Sequence, residues 1–160
     1  MRARILEVVA SSRGGGAEHV RNLVTGLRTA PFETTVAMPE DGGQITAADI
    51  EATGARFIHL SMTLWQATWQ VRRFIRTKGC DLVHAHGLRA ALFARLALLG
   101  FRPRPISVVS IHGFALPHYA LPKRAILLAL ERALLPLTDC VICVSEAERL
   151  DYLHATGLSP

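Results

Sequence analysis

Histidines near the ends of two predicted strands are the residues of this sequence best suited to chemistry. His84 and His86 lie in the run Asp81–Gly87, and His112 follows a second run rich in β-branched residues. Side chains alternate along a strand, so His84 and His86 should point to the same side of it. Ligand sites of open α/β sheets lie beyond the carboxyl ends of the strands. We therefore expect His86 and His112 to converge on one site, with His84 serving either that site or the strand interior.

A glycine-rich turn leads into the first predicted helix. Gly14, Gly15 and Gly16 follow a strand-like run and precede a segment of helical period. Without side chains in the way, the N–H groups at the start of a helix can approach an anion closely. The turn is therefore a candidate site for a phosphate or a sugar hydroxyl, and a tight turn without a ligand is the alternative.

Two common nucleotide-binding motifs are incomplete in this turn. Gly14 and Gly16 could open the fingerprint Gly-x-Gly-x-x-Gly, but His19 occupies the position of its third glycine. Glu40 or Asp41 would have to bind the ribose of a dinucleotide, and both lie beyond a proline. A P-loop fits less well still, because no Gly-Lys-Ser or Gly-Lys-Thr follows the glycines.

The sequence disfavours a metal site. His84, His86 and His112 could supply three nitrogen ligands, but no Asp or Glu of suitable motif accompanies them. Cys140 and Cys143 are three positions apart in a predicted buried strand, where their side chains would point to opposite faces. We therefore expect these two cysteines to be core thiols, and we predict no metal and no cofactor in this chain.

Strand-like and helix-like segments alternate along the whole chain, a pattern typical of βαβ units around a parallel sheet. The predicted strands are Arg4–Ala10, Glu33–Met38, Arg56–Leu60, Leu82–Ala85, Ile106–Ile111 and Cys140–Val144. The predicted helices are Ala17–Arg28, Gln44–Thr53, Leu64–Lys78, Ala90–Leu99, Pro122–Leu135 and Glu146–Ala155. These segments predict an α/β fold, a Rossmann-like doubly wound parallel sheet in three α/β/α layers. We expect residues 1–160 to form a single domain that is truncated before its last strand.

The composition favours one cytoplasmic domain. The chain has 160 residues, and 50% of them are hydrophobic, which is enough for one substantial core. No secretory signal is predicted, because Glu7 interrupts the first apolar run, and no run approaches the roughly 18 apolar residues of a membrane span. The net charge of +5 favours anionic partners such as phosphorylated sugars or lipid headgroups. Nucleic acid is not expected, because no recognised binding module is present.

Four motifs carry a family resemblance when they are taken together. They are Gly14–Glu18, Asp81–Gly87, His112-Gly113-Phe114 and Val141–Glu146. In this order and at these separations they resemble the N-terminal domain of family 4 glycosyltransferases, which have the two-domain GT-B architecture. The resemblance covers nearly the whole chain, and its specificity lies in the combination.

The resemblance implies retaining transfer of a sugar from a UDP- or GDP-sugar to a glycan, lipid or small-molecule acceptor, as in cell-envelope polysaccharide biosynthesis. The transfer would take place in a cleft between this domain and a second one. It implies that His112 is catalytic and lies beside the transferred sugar. The residues it implies for donor or acceptor binding are Gly15, Gly16, His86, Gly113, Ser145 and Glu146. The donor pocket of the family belongs to the C-terminal domain, a missing partner here, so the chain alone should be inactive.

One predicted helix has features of a membrane-contacting surface. Its apolar stripe is flanked by Trp65 and Trp69, which lie near Arg72, Arg73 and Arg76. Aromatic and arginine side chains on one flank suit a membrane interface or a lipid acceptor, which would place the protein at the inner face of the membrane. The alternative is tryptophan packing at the edge of the core with arginine stacked on it.

A second function remains open at this point. The chain could instead be a stand-alone module that binds a nucleotide or phosphosugar without catalysis. In either case an absent last strand would leave a sheet edge, and such an edge invites pairing between two copies of the chain.

Overall fold

The computed structural model describes residues 2–114 and 119–158, which form one six-stranded sheet. The strands are β1 Ala3–Val9, β2 Phe32–Met38, β3 Arg56–His59, β4 Leu82–His86, β5 Ile106–Ile111 and β6 Cys140–Cys143. All neighbouring strands are parallel, in the order β3-β2-β1-β4-β5-β6. Strands β2 and β3 are added on one side of β1, and strands β4, β5 and β6 are added on its other side, so the strand order reverses between β1 and β4. Ligand sites of doubly wound sheets lie at such a switch point.

Helices cover both sides of the sheet. They are α1 Gly14–Leu27, α2 Ala47–Ala52, α3 Leu64–Lys78, α4 Leu88–Leu98, α5 Lys123–Leu134 and α6 Glu146–Thr156, with a short 3₁₀ turn at Leu135–Leu137. The predicted α/β fold, Rossmann-like and doubly wound, is confirmed. Helix α1 begins at Gly14 rather than Ala17, so the three glycines form its first turn. Helix α2 begins later than predicted, because Thr46 and Asp49 cap each other's backbone N–H groups in a capping box.

Two separate apolar cores account for the three layers. Along β2, Ala37 packs into the core that contains residues of α3 and α4, whereas Val36 and Met38 pack into the core under α1 and α2. Successive strand residues point to opposite faces, so the two cores lie on opposite sides of the sheet. Apolar burial on both faces is typical of parallel sheets.

A buried ion pair connects the helices α4, α5 and α6. The Arg95 side chain is fully buried, and its Nη1 donates to Glu131 Oε2 at 2.7 Å. The hydroxyl of Tyr152 donates to the other oxygen of the same carboxylate at 2.6 Å. Arg95 Nε also donates to Thr138 Oγ1 at 2.8 Å. The carboxylate thus receives charge-assisted hydrogen bonds from two helices other than its own.

Strand β6 is more exposed than its sequence predicts. Cys140 is exposed and Ile142 is 45% exposed, so the strand is not buried and Cys140 is not a core thiol, whereas the half-buried Cys143 packs against the core. The reason is topological, because β6 pairs with β5 on one side and forms an edge of the described sheet. The β-branched composition of the strand does not reveal this position in the sheet.

Candidate functional site

A buried carboxylate lies in the middle of β1, at the switch point of the sheet. Glu7 is 1% exposed, and its register on β4 sets it beside His84. Glu7 Oε2 lies 2.7 Å from His86 Nε2 and 3.0 Å from His84 Nδ1. Burial raises the pKa of Glu7, but the hydrogen bonds from the two imidazoles outweigh burial and hold the pKa below its ordinary value. Glu7 is therefore ionised at neutral pH, and both histidines face it from the same side of β4, as their spacing predicts.

An ionised Glu7 determines which ring nitrogens carry protons. His84 donates to Glu7 from Nδ1, and its Nε2 shares a hydrogen bond with the Ser110 hydroxyl at 2.8 Å. His86 must donate from Nε2, so its Nδ1 is free to accept. His112 Nε2 lies 3.2 Å from that Nδ1, close enough to donate to it. A chain of hydrogen bonds therefore leads from the buried carboxylate through His86 to His112.

A fourth histidine, which the sequence analysis did not select for the site, extends the cluster to the surface. His19 of α1 is exposed, and its ring centroid lies 4.7 Å from that of His112 and 5.8 Å from that of His86. Its position on α1 could have been a signal, since it faces the carboxyl end of β1 just after the glycine turn. We call His19, His86 and His112 the outer histidine cluster.

Two histidines of the cluster, His86 and His112, have pKa values below the ordinary value of histidine. Burial lowers the pKa of His112 to about 4, and the neighbouring His86 and His19 add to this effect. Burial also lowers the pKa of His86, although Glu7 acts in the opposite direction. At neutral pH the two rings therefore offer N–H donors and lone pairs rather than positive charge.

The first turn of α1 is open beside this cluster. Gly15 and Gly16 have no atom within 4 Å of an added Cβ, apart from chain neighbours and the helix backbone. The N-cap residue Arg13 makes no capping hydrogen bond with its side chain. The first N–H groups of a helix lack intrahelical partners, and they carry the positive end of its dipole. The geometry of this turn therefore suits a negatively charged group.

Asp41 holds the preceding loop in place. Its carboxylate accepts from the Ser11 hydroxyl at 2.7 Å, from the Ser12 N–H at 2.9 Å and from the Ser12 hydroxyl. The hydrogen bond from the Ser12 side chain is the largest reason that the pKa of Asp41 falls to about 2. These contacts occupy the carboxylate, so the alternative role of Asp41 as a ribose-binding acid is not supported.

Glu148 joins the turns that follow β5 and β6, a role that the sequence analysis missed. Its carboxylate accepts from the Gly113 N–H at 2.7 Å and from the Val144 N–H at 3.0 Å. Ser145 caps α6 by accepting from the Glu148 N–H at 3.2 Å. The pattern Ser-x-x-Glu at residues 145–148 was the available signal. The N–H of Gly113 is therefore already engaged.

Glu146 lies apart from this network in the structure. Both oxygens of its carboxylate bind Arg149, at 2.6 and 2.8 Å. The Glu146 side chain is 67% exposed. Among the described residues, no hydrogen bond or ion pair links Glu146 to the histidines.

The indoles of α3 project from the surface. Trp65 is 73% exposed and Trp69 is 57% exposed, so neither is packed at the core edge. The guanidinium of Arg73 lies over the Trp69 ring, 5.1 Å from its centroid. No helix in the described parts of the chain is long and apolar enough to cross a membrane.

The other two arginines of α3 face the end of α4. Arg72 Nη1 donates to the carbonyls of Ala97 at 2.9 Å and Leu99 at 2.5 Å. Arg72 and Arg76 also lie over the Phe101 ring, 5.0 and 5.8 Å from its centroid. Arg72 and Arg76 thus contact Phe101 and backbone carbonyls rather than the indoles, and Arg73 is the arginine that lies over Trp69.

An apolar groove opens beside the turn after β5. Its volume is about 420 Å³, and its walls come mainly from α4 and α5. The ammonium of Lys123 lies 3.9 Å from the centroid of the Tyr119 ring. The residues that line the groove are Leu88, Arg89, Leu92, Gly113, Tyr119, Lys123, Leu127, Leu130, Glu131 and Leu134. Five of these ten residues are leucines, and the basic Arg89 and Lys123 line the groove together with the acidic Glu131.

Comparison with family models and curated sequences gives one match. The model of the family described as Glycosyltransferase Family 4 matches residues 13–160. No curated protein matches the sequence significantly.

Solved structures with the same fold include two larger proteins. Sucrose-phosphate synthase from Thermosynechococcus elongatus superposes with a TM-score of 0.71 at 18% identity, over 96% of this chain and 45% of that one. A UDP-N-acetylglucosamine 2-epimerase gives 0.58 at 13% identity, again over 96% of this chain and 45% of that one. Acetoin dehydrogenase from Enterobacter cloacae gives 0.53 at 16% identity, over 93% and 77%. This chain thus spans less than half the length of the first two.

Proposed function

Because the chain belongs to Glycosyltransferase Family 4, we propose that it is the acceptor-side half of a retaining glycosyltransferase. The complete enzyme would transfer a sugar from a UDP- or GDP-sugar to a glycan, lipid or small-molecule acceptor. The donor nucleotide would bind mainly to a second domain across the cleft. We therefore expect no sugar transfer by this chain alone.

The observation that carries the proposal is the convergence of imidazoles and helix N–H groups at the switch point. The rings of His19 and His112 lie 4.7 Å apart, beside the open first turn of α1. Negative charge gathers on the leaving nucleoside diphosphate as the glycosidic bond breaks. Preorganised N–H donors of Gly15 and Gly16 stabilise that charge more in the transition state than in the ground state.

A neutral His112 suits contact with the sugar. With its Nε2–H directed at His86, the neutral ring keeps a lone pair on Nδ1, which can accept a hydrogen bond from a sugar hydroxyl. His86 fixes the ring through the 3.2 Å contact between their nitrogens. We assign His112 the catalytic position and His86 the task of orienting it.

The groove beside Gly113 favours an acceptor with an apolar part and an anionic group. Its leucine surface suits a hydrocarbon chain, and Arg89 and Lys123 supply positive charge. A polyprenyl phosphate has this chemistry. The exposed Trp65 and Trp69 would then hold α3 at the inner membrane face, where such an acceptor resides.

Two titrations of the purified chain test the donor side of the proposal. We expect UDP, GDP and their sugars to bind in the millimolar range or not at all, and we expect no release of nucleotide when an acceptor is added. His112→Ala is the test variant, and His59→Ala removes an exposed histidine at the end of β3 as a matched control. Tight binding of UDP or GDP that depends on His112 would overturn the assignment. It would favour the alternative, a stand-alone module for nucleotides or phosphosugars.

The acceptor side is tested with farnesyl phosphate, a short polyprenyl phosphate. Calorimetry should show binding to the chain, and Lys123→Ala should weaken it. Lys78→Ala removes an exposed lysine at the end of α3 and should leave binding unchanged. Equal binding by both variants would remove the groove from the proposal.

A further inference from the structure

We propose that the outer histidine cluster binds a divalent transition-metal ion, Zn²⁺ or a similar ion, at the carboxyl ends of β4 and β5. One ring nitrogen from each of His19, His86 and His112 lies within 4.8 Å of the other two. Imidazole is a preferred ligand of Zn²⁺, Cu²⁺ and Ni²⁺. Three protein nitrogens with a fourth position open to water form a common type of zinc site.

The distance between two of the ligand nitrogens matches that expected in such a site. His86 Nδ1 and His112 Nε2 lie 3.2 Å apart. Two ligands on a tetrahedral Zn²⁺ with bonds of about 2.0–2.1 Å lie about 3.3 Å apart. The pair that shares a proton in the structure is therefore already spaced to share an ion. His112 would then carry its proton on Nδ1.

Glu7 supplies the supporting carboxylate that a histidine ligand needs. Its Oε2 accepts from His86 Nε2 at 2.7 Å, on the side of the ring opposite the cluster. A histidine ligand of a metal usually donates its other N–H to a carboxylate or carbonyl, which fixes the ring and raises its basicity. The sequence shows no acidic motif near the histidines, because Glu7 comes from another strand.

Solvent access to the outer histidine cluster also suits a metal ion. His86 is buried, His112 is half-buried and His19 is exposed, so an ion can enter from solvent and reach the inner ligand. The exposed ring of His19 can rotate to close the site.

The neighbouring group of Glu7, His84 and His86 is a poorer candidate, although its ligand atoms also lie within 4.8 Å of one another. All three residues are buried. Glu7 Oε2 already bonds both imidazoles, and His84 Nε2 bonds the Ser110 hydroxyl. An ion there would have to break this network, whereas the outer histidine cluster loses a single contact between two rings.

The test is titration of the metal-free chain with Co²⁺, followed by visible absorption, and with Zn²⁺, followed by calorimetry. We expect one ion per chain and the d–d absorption of tetrahedral cobalt. His19→Ala, which changes an exposed side chain, should remove the absorption at equimolar cobalt. Glu7→Gln should weaken binding by about 10–100-fold, as loss of a supporting carboxylate does. His59→Ala should bind like the unaltered chain.

Three results would overturn the proposal. The first is the absence of stoichiometric binding by the unaltered chain. The second is binding that survives in both His19→Ala and His112→Ala. The third is the near-ultraviolet charge-transfer band of a cobalt thiolate, because the ion would then sit on other ligands such as Cys140. The measurement involves no sugar or nucleotide, so its failure leaves the proposed glycosyl transfer untouched.

Discussion

Acid should destabilise this protein through its histidines, and replacing His112 should remove part of that sensitivity. In the fold the pKa of His112 is about 4, whereas the ordinary value is 6.5. Between these two pH values the unfolded chain binds a proton that the folded chain rejects. Stability therefore falls as the pH falls through this window, and the loss is complete below the folded value.

The size of this contribution follows from the two pKa values. One pKa unit corresponds to about 1.4 kcal/mol, so the full difference would correspond to roughly 3 kcal/mol. His112 is only half-buried, and solvent screening reduces the effect. We expect His112 to account for roughly 1–2 kcal/mol of the stability lost between neutral pH and about pH 4.

Urea unfolding followed by circular dichroism measures this quantity. The unaltered chain, His112→Ala and His154→Ala would be compared at pH 7.5 and pH 4.5, all with a chelator to remove metal ions. The exposed His154 of α6 serves as the control. His112→Ala should lose less stability on acidification than the other two proteins. The reasoning fails if all three lose the same amount, whatever their stability at neutral pH.

Three further substitutions test separate features. Gly43→Ala should destabilise the fold by about 1–3 kcal/mol in urea unfolding, because the new Cβ would overlap the backbone of Ser12. Gly26→Ala is the control, because its Cβ has open space in α1, and it should be neutral or stabilising. Tyr152→Phe should cost about 1–2 kcal/mol in the same assay, because a buried carboxylate loses a donor. Replacing Trp65 and Trp69 together by Ala should lower cosedimentation with anionic vesicles and leave the helical signal unchanged; unchanged cosedimentation would contradict the membrane contact.

Local periodicity was enough to predict the architecture. Helix α3 and strand β5 have the predicted bounds, because their apolar patterns and flanking residues are unambiguous. The start of α1 was placed three residues late, since glycine is a poor helix former and Gly14–Gly16 look like a turn in isolation. The exposure of β6 depends on its place at the edge of the sheet, which no local pattern encodes.

The candidate site was predicted in part. The convergence of His86 and His112 followed from the rule that ligands gather at the carboxyl ends of strands. Glu7 was treated only as an interruption of an apolar run, although a charge within a buried strand needs a partner. That partner is His86, which lies 79 residues further along the chain. The two residues meet through the register of β1 on β4, which local sequence patterns do not specify.

The ion pair between Arg95 and Glu131, with the hydroxyl of Tyr152, also has a consequence for sequence variation among relatives. Losing Arg95 or Glu131 would leave a buried charge without its partner, which costs about 3–5 kcal/mol, and losing the Tyr152 hydroxyl costs less, whereas exchanging the set for apolar residues of similar volume can be neutral. Positions 95, 131 and 152 should therefore covary. Relatives should keep all three polar residues or replace them together, so that the three helices carry one shared evolutionary constraint.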